Sequence, residues 1–282
     1  MTAIIPAAGH GTRFLPVTKV VPKEMLPIGS KPALELIVDE AKSAGADRIV
    51  LIISHGKELI REYFKDDPSV TFVYQEEQRG LGHAILMAEK SFSNADALKS
   101  DLSSEHRSIR PSDQVRNVLI LLGDCLVADC NASKEMVALS KARGDASVIG
   151  LERVPRERIS RYGIVKTSTG GRMVGCSDAP MANHGHAQAE GDLQIIDLVE
   201  KPSVEEAPSD LAVAGRYLLD AKIFDYLKTQ TPGKGGEIQL TDAIRRMLAE
   251  KTLLGYVYPG KRQDIGNPKG YFEALKAMGA NA

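Results

Sequence analysis

No apolar run in this 282-residue chain approaches the ~20 residues that a membrane-spanning helix needs. No basic, signal-type segment precedes Thr2-Ala3-Ile4-Ile5-Pro6. The chain also lacks excess charge: 36 Lys and Arg stand against 37 Asp and Glu, a net charge of −1. No global field draws nucleic acid, so any phosphate site must be local. Only three cysteines occur, Cys125, Cys130 and Cys176, with no C-x-x-C pair and one odd thiol. That speaks against structural zinc and fits a reducing cytoplasm. Two phosphate-binding motifs are missing as well. The P-loop pattern is absent, and the third glycine of the dinucleotide fingerprint is replaced by Phe14.

What is present begins at Ile4. A short apolar strand runs into Gly9-His10-Gly11-Thr12-Arg13, then Lys19 and Lys23 between Pro16, Pro22 and Pro27. Three prolines forbid a continuous helix here. Glycines let backbone N–H groups approach a ligand, and consecutive N–H groups in a turn form an anion nest. Glycine turn and cations together indicate phosphate, with an ordinary strand-to-helix loop as the alternative.

Strand and helix signals then alternate. Strands are expected at Arg48–Ile53, Val70–Tyr74, Asn117–Leu122 and Ala146–Ile149. Helices are expected over 31–44, 57–64 (Leu59, Ile60, Tyr63 and Phe64 inward), 81–88 and 134–142. This is a doubly wound α/β layer with a largely parallel sheet. Ligands of such sheets bind beyond the carboxyl ends of the strands. There the chain places the glycine–arginine loop, then Gln75 with Gly80-Leu81-Gly82-His83, then Gly123-Asp124. The second half reads as strands over 162–166, 193–199, 211–219 and 253–258, with helices over 221–228, 237–251 and 268–278. A polar excursion is expected at 93–116. The stretch 178–192 reads as a solvated loop rather than a metal site, since His184 and His186 lack a third ligand at a fixed offset.

Asp124 follows an apolar strand through a glycine, a rigid place for a carboxylate that suits Mg²⁺ or a helix cap equally. Asp264, before the last helix, offers a second carboxylate. Two aspartates converging on triphosphate oxygens is what metal-assisted phosphoryl chemistry needs. Glu200-Lys201 ends a strand; a Glu can bond two sugar hydroxyls, and a Lys is a point charge for a monophosphate.

G-x-G-T-R at 9–13, Pro16, Lys19 and Pro22-Lys23 resemble the signature of the sugar-1-phosphate nucleotidyltransferases. Lys19-Val-Val-Pro-Lys-Glu-Met-Leu-Pro27, Val199-Glu-Lys-Pro202, Gly215-Arg-Tyr217 and Gly236-Glu-Ile-Gln-Leu-Thr-Asp-Ala-Ile244 look like the bacterial UTP–glucose-1-phosphate uridylyltransferase branch. The resemblance implies a Rossmann-like α/β fold with a mixed sheet and a β-rich sugar-binding lobe. It implies one domain over 1–282, residues 1–150 on the nucleotide side and 151–282 on the sugar side. It further implies that UTP and glucose 1-phosphate are the substrates, Mg²⁺ the cofactor and a dimer or tetramer the assembly. In that reading Ala8 and Gly9 meet base and ribose, Gly11, Thr12 and Arg13 hold the triphosphate, and Lys23 sits on the phosphates. Gln75 and Gly80 read the pyrimidine, and Asp124 and Asp264 hold Mg²⁺. Gly163, Glu200, Gly215 and Glu237 line the sugar pocket, and Lys201 binds the sugar phosphate. Leu122-Gly-Asp-Cys125 and the short connection between Phe64 and Phe72 look more like the thymidylyltransferases, which keeps dTTP open. A non-catalytic nucleotide-sugar module is a further alternative.

Overall fold

The computed structural model describes residues 1–91, 117–127, 131–168, 193–259 and 262–278. The expected excursion at 93–116 and the polar loop at 178–192 lie outside the described residues.

Strand β1 (Thr2–Pro6) runs parallel between β4 (Arg48–Ile53) and β6 (Asn117–Leu121), with β5 (Val70–Tyr74) parallel beyond β4. Its side chains alternate between faces, as a strand requires. Ala3 and Ile5 pack with helix α1 (Ala33–Ser43); Ile4 joins the opposite core with α3 (Leu81–Met87), α5 (Ile223–Lys228) and α6 (Leu240–Met247). Cover on both faces is why the central runs Ala3–Ile5, Ile49–Ile53 and Val118–Leu121 are apolar and buried.

The sheet continues antiparallel into β11 (Leu211–Asp220), then β8 (Ser147–Arg153), β12 (Leu253–Val257), β10 (Leu193–Glu200) and β9 (Gly163–Thr167). Strands β1, β4, β5 and β6 are thus all parallel, and mixed pairing begins at β11. The register of β11 on β8 shifts between Val213 and Tyr217. Gly215 sits in that bulge with φ +74, a conformation that favours glycine. β6 leaves the edge of β11 at Leu121, opposite Arg216; further along, Ala212 pairs with Ile164 of β9. The β9–β10 ribbon therefore takes over the edge that β6 vacates, which brings these two strands to the carboxyl end of β6.

Two expectations are corrected. In α2 (Glu58–Phe64) only Ile60 and Phe64 are buried; Leu59 and Tyr63 are 46% and 47% exposed. One i, i+4 pair faces the core and the other faces solvent, where the Tyr63 hydroxyl donates to Glu35. The helix read over 237–251 begins only at Leu240 and ends at Met247. Glu237 is extended because the next residue bonds elsewhere: Ile238 N–H donates to Arg79 O and Ile238 O accepts from Gly82 N–H, both at 2.8 Å. Short pairings also appear that carry no periodic signal. They are β2 (Pro27–Ile28) with β3 (Lys31–Pro32), and β7 (Cys125–Val127) with β13 (Arg262–Asp264). Helices α4 (Ala132–Ala142) and α7 (Pro268–Met278) lie where periodicity puts them.

Candidate active site

The loop after β1 folds as three short 3-10 turns, 12–14, 17–19 and 23–25, separated at the prolines. Gly11 adopts φ +65, and its carbonyl accepts the Thr18 hydroxyl at 2.9 Å. A side chain at Gly11 would meet Thr18 Cγ2 at 2.9 Å. Gly9, Thr12 and Arg13 are exposed and Ala8 is buried. Side chains from the two neighbouring strand ends hold the loop's root. Lys57 donates to the Ala7 carbonyl and to Glu24 Oε2 (2.8 Å), and Gln78 Nε2 donates to the Ala8 carbonyl at 2.8 Å. Burial pushes the Lys57 ammonium below its usual range against the opposing pull of Glu24.

Beyond β5, the buried Gln75 amide nitrogen donates to His83 Nδ1 (3.1 Å) and reaches the Gly80 carbonyl (3.4 Å). Burial and then the Arg79 charge push His83 below its usual range, while a bond to the Glu77 backbone pulls it up. Gly80 has φ +95, and a Cβ there would lie 2.8 Å from Glu237 Cβ and 2.9 Å from Ile238 O. Close backbone approach thus requires this glycine. Glu237 accordingly lies against the Gly80 loop, where its carboxylate accepts from Gln239.

After β6, Gly123 lets the chain cross Pro6: its N–H donates to Pro6 O, and a Cβ would stand 2.6 Å from that oxygen. Asp124 follows. Its Oδ2 lies 2.7 Å from Lys23 Nζ. Desolvation raises the Asp124 carboxyl, but the Lys23 charge and hydrogen bond outweigh it and hold the group below its usual range. Pairing of β7 with β13 sets Asp264 opposite Cys125, and Gly266 separates the carboxylates. A Cβ at Gly266 would lie 2.9 Å from Asp124 Oδ2 and 3.0 Å from Asp264 Oδ1. The two aspartates, 140 positions apart in sequence, thus flank one glycine, with the Lys23 cation on the first. Gly266 N–H and Asn267 Nδ2 orient Asp264.

On the sugar side, Glu200 pairs with Gly163 across β10 and β9. A Cβ at Gly163 would be 3.3 Å from Glu200 Oε2. That oxygen accepts the Thr241 hydroxyl at 2.7 Å, and Oε1 lies 3.0 Å from Lys201 Nζ. Lys201 holds φ +46, a positive value unusual for a side-chain-bearing residue. Gly215 O accepts from Leu122 N–H at 3.0 Å, so the bulge touches the segment leading into Asp124.

The structure thus brings Lys23, Asp124 and Asp264 together, sets Glu200 beside Gly163 and Lys201, and sets Gly80 beside Gln75 and Glu237. Sequence reading missed Glu24, Lys57, Gln78 and Thr241 as supports. Glu24 and Thr241 lie inside stretches that carry the family resemblance, but nothing local marks any of the four as a support, because their partners are 33, 50, 70 and 41 positions away. Among the described residues no group of three or more His, Cys, Asp or Glu side chains is placed to hold a metal ion. No described helix is long and apolar enough to cross a membrane.

The nucleotidyl transferase family model matches residues 2–281. The UTP–glucose-1-phosphate uridylyltransferase of Staphylococcus epidermidis is 36% identical, covering 95% of this chain and 88% of that protein. The Bacillus subtilis UTP–glucose-1-phosphate uridylyltransferase YngB is 35% identical, over 98% and 89%. A UDP-glucose pyrophosphorylase solved in complex with UDP-glucose superposes with a TM-score of 0.78 at 32% identity, covering 100% of this chain and 99% of that one. A UTP-bound enzyme of the same kind from Acinetobacter baumannii gives 0.71 at 31% identity, over 99% and 95%. A Bacillus anthracis structure described as a glucose-1-phosphate thymidylyltransferase, at 22% identity, shares the fold. With motifs, fold and near-full-length similarity in agreement, the chain belongs to the nucleotidyl transferase family, in its UTP–glucose-1-phosphate uridylyltransferase branch.

Proposed function

We propose that this chain joins UTP and glucose 1-phosphate to give UDP-glucose and pyrophosphate. The observation that carries the reading is the meeting of Lys23, Asp124 and Asp264 around Gly266, with Glu200 and Lys201 brought to the same edge by the β9–β10 ribbon. A phosphate oxygen of the sugar attacks the α-phosphorus in line; the bond to the β-phosphate breaks and pyrophosphate leaves. No protein nucleophile takes part, so catalysis is positioning and charge neutralisation.

Arg13 and Lys23 neutralise the triphosphate, and Lys201 holds the sugar phosphate. Ala8, Gly9, Gly11 and Thr12 supply the nucleotide bed, and Gln75 and Gly80 the base end. Gly163, Glu200 and Gly215 line the sugar side. Glu237 acts at one remove, by bracing the Gly80 loop. Two carboxylates with no nitrogen or sulfur donor suit a hard cation that keeps water and phosphate ligands, so Asp124 and Asp264 fit Mg²⁺. Bound there, Mg²⁺ supplies further charge neutralisation at the phosphates.

The test is pyrophosphate release from glucose 1-phosphate with UTP, dTTP, ATP, CTP and GTP, each with and without chelator. UTP-selective, chelator-sensitive release is expected. UDP-glucose binding without pyrophosphate exchange would instead make the chain a binding module. The resemblance also favours a homo-oligomer, dimer or tetramer, which light scattering reads directly.

A further inference from the structure

We infer that His83 is a positioning residue that sets which end of the Gln75 amide faces the nucleotide base, and so selects uracil over cytosine. The inference rests on Gln75 reading the base, as proposed above.

A glutamine amide presents one acceptor and one donor end, and the two are interchanged by a half-turn. At Gln75 the choice is fixed by neighbours. Nε2 meets two acceptors, the Gly80 carbonyl at 3.4 Å and His83 Nδ1 at 3.1 Å. The carbonyl can only accept, so it demands the NH₂ end. His83 agrees with it in the tautomer that leaves Nδ1 bare and carries the ring proton on the other nitrogen. Both side chains are buried, at 4% and 9% exposure, so the wrong amide orientation would set acceptor against acceptor without water to compensate.

Among the described residues no donor reaches Gln75 Oε1. That oxygen is the amide atom left for a base, and it can only accept. Uracil and thymine carry an N–H at ring position 3; cytosine carries a lone pair there. An amide locked with its oxygen toward the base pairs with the first two and opposes the third. Removal of His83 takes away the stronger of the two constraints, since the 3.4 Å contact to Gly80 is long for a hydrogen bond. Gln75 then turns over at small cost and offers its NH₂ to cytosine.

The experiment measures kcat/KM for UTP and for CTP on the wild type, His83→Ala and His83→Phe. The ratio of the two constants cancels the fraction of active protein, so partial misfolding of a variant leaves it unchanged. The wild type should strongly prefer UTP. In both variants the ratio should fall about tenfold, the worth of one buried hydrogen bond, with KM for glucose 1-phosphate unchanged. A wild type that selects UTP and variants that select it equally overturn the role of His83 alone. A wild type that uses CTP as well as UTP overturns the functional reading itself. Preference for dTTP over UTP leaves the inference standing, since thymine carries the same N–H, and the ratio is then taken against dCTP.

Discussion

Lys23 Nζ lies 2.7 Å from Asp124 Oδ2, across 101 positions of sequence. The pair joins the loop after β1 to the loop after β6, and it sets the acid limb of stability. The Asp124 carboxyl is held below its usual range, so its contribution is complete above the unfolded value near ~4 and is lost as pH falls through the depressed folded value. Asp124 keeps 40% side-chain exposure, so solvent screens the pair and its worth is about 1 kcal/mol or less. Lys23→Met should therefore lower Tm at pH 7 by about 2–4 °C, with the difference closing toward pH 2–3. Thermal scans of chelator-treated protein across pH check this; a gap that persists in acid would show that the pair does not carry it.

Lys201 differs from Lys23 in having little else to do. Its side chain is 49% exposed and among the described residues pairs only with the neighbouring Glu200, so Lys201→Ala should leave unfolding unchanged. Lost charge at a transferring phosphoryl group typically costs about 3 kcal/mol of barrier, or roughly a hundredfold. Turnover should fall by at least that factor, with KM raised for glucose 1-phosphate and not for UTP. Near-normal turnover would remove Lys201 from the site.

Lys57 and Glu24 form a pair with 7% and 2% side-chain exposure beneath the nucleotide loop. Lys57→Met strands the Glu24 carboxylate and should cost about 3–5 kcal/mol in urea unfolding. Lys57→Met/Glu24→Leu removes both charges and should recover most of that loss. Neither variant restores the bond to Ala7 O, so KM for UTP should stay raised in both. Recovery of KM along with stability would make the lysine a packing element only.

These supports explain what sequence could and could not disclose. The carboxyl-edge residues Gly9 to Arg13, Gln75, Asp124 and Glu200 follow from strand periodicity, because a strand's end is a local property. The fold's parallel half is legible for the same reason: β1, β4 and β6 are covered on both faces and carry apolar runs. Pairing is another matter. Nothing local says that β9 replaces β6 along β11, that Gly266 brings Asp264 beside Asp124, or that Ile238 bonds to the Gly80 loop instead of starting a helix. Each depends on a bond closed over a long loop, and such bonds leave no periodic trace.

Glu40 shows how far this goes. Glu40 lies on α1, is 3% exposed and forms a two-pronged ion pair with the fully buried Arg216, at 2.9 and 2.6 Å. Ser133 donates to the same carboxylate, and Arg216 also donates to the Cys125 carbonyl at 2.8 Å, next to Asp124. The pair ties α1, α4 and β11 to the root of the loop that carries Asp124. Glu40→Gln leaves a buried guanidinium without its counter-charge and should cost about 3–5 kcal/mol. Glu40→Leu/Arg216→Met fills the space without charge and should be far less destabilising. Cys125 O then loses its donor, so the Asp124 loop gains freedom even where global stability is restored. Urea unfolding together with Mn²⁺ titration separates the two effects: the double variant should unfold nearly as the parent does while binding the metal several-fold more weakly. Parental metal affinity in that variant would confine Glu40 and Arg216 to stability.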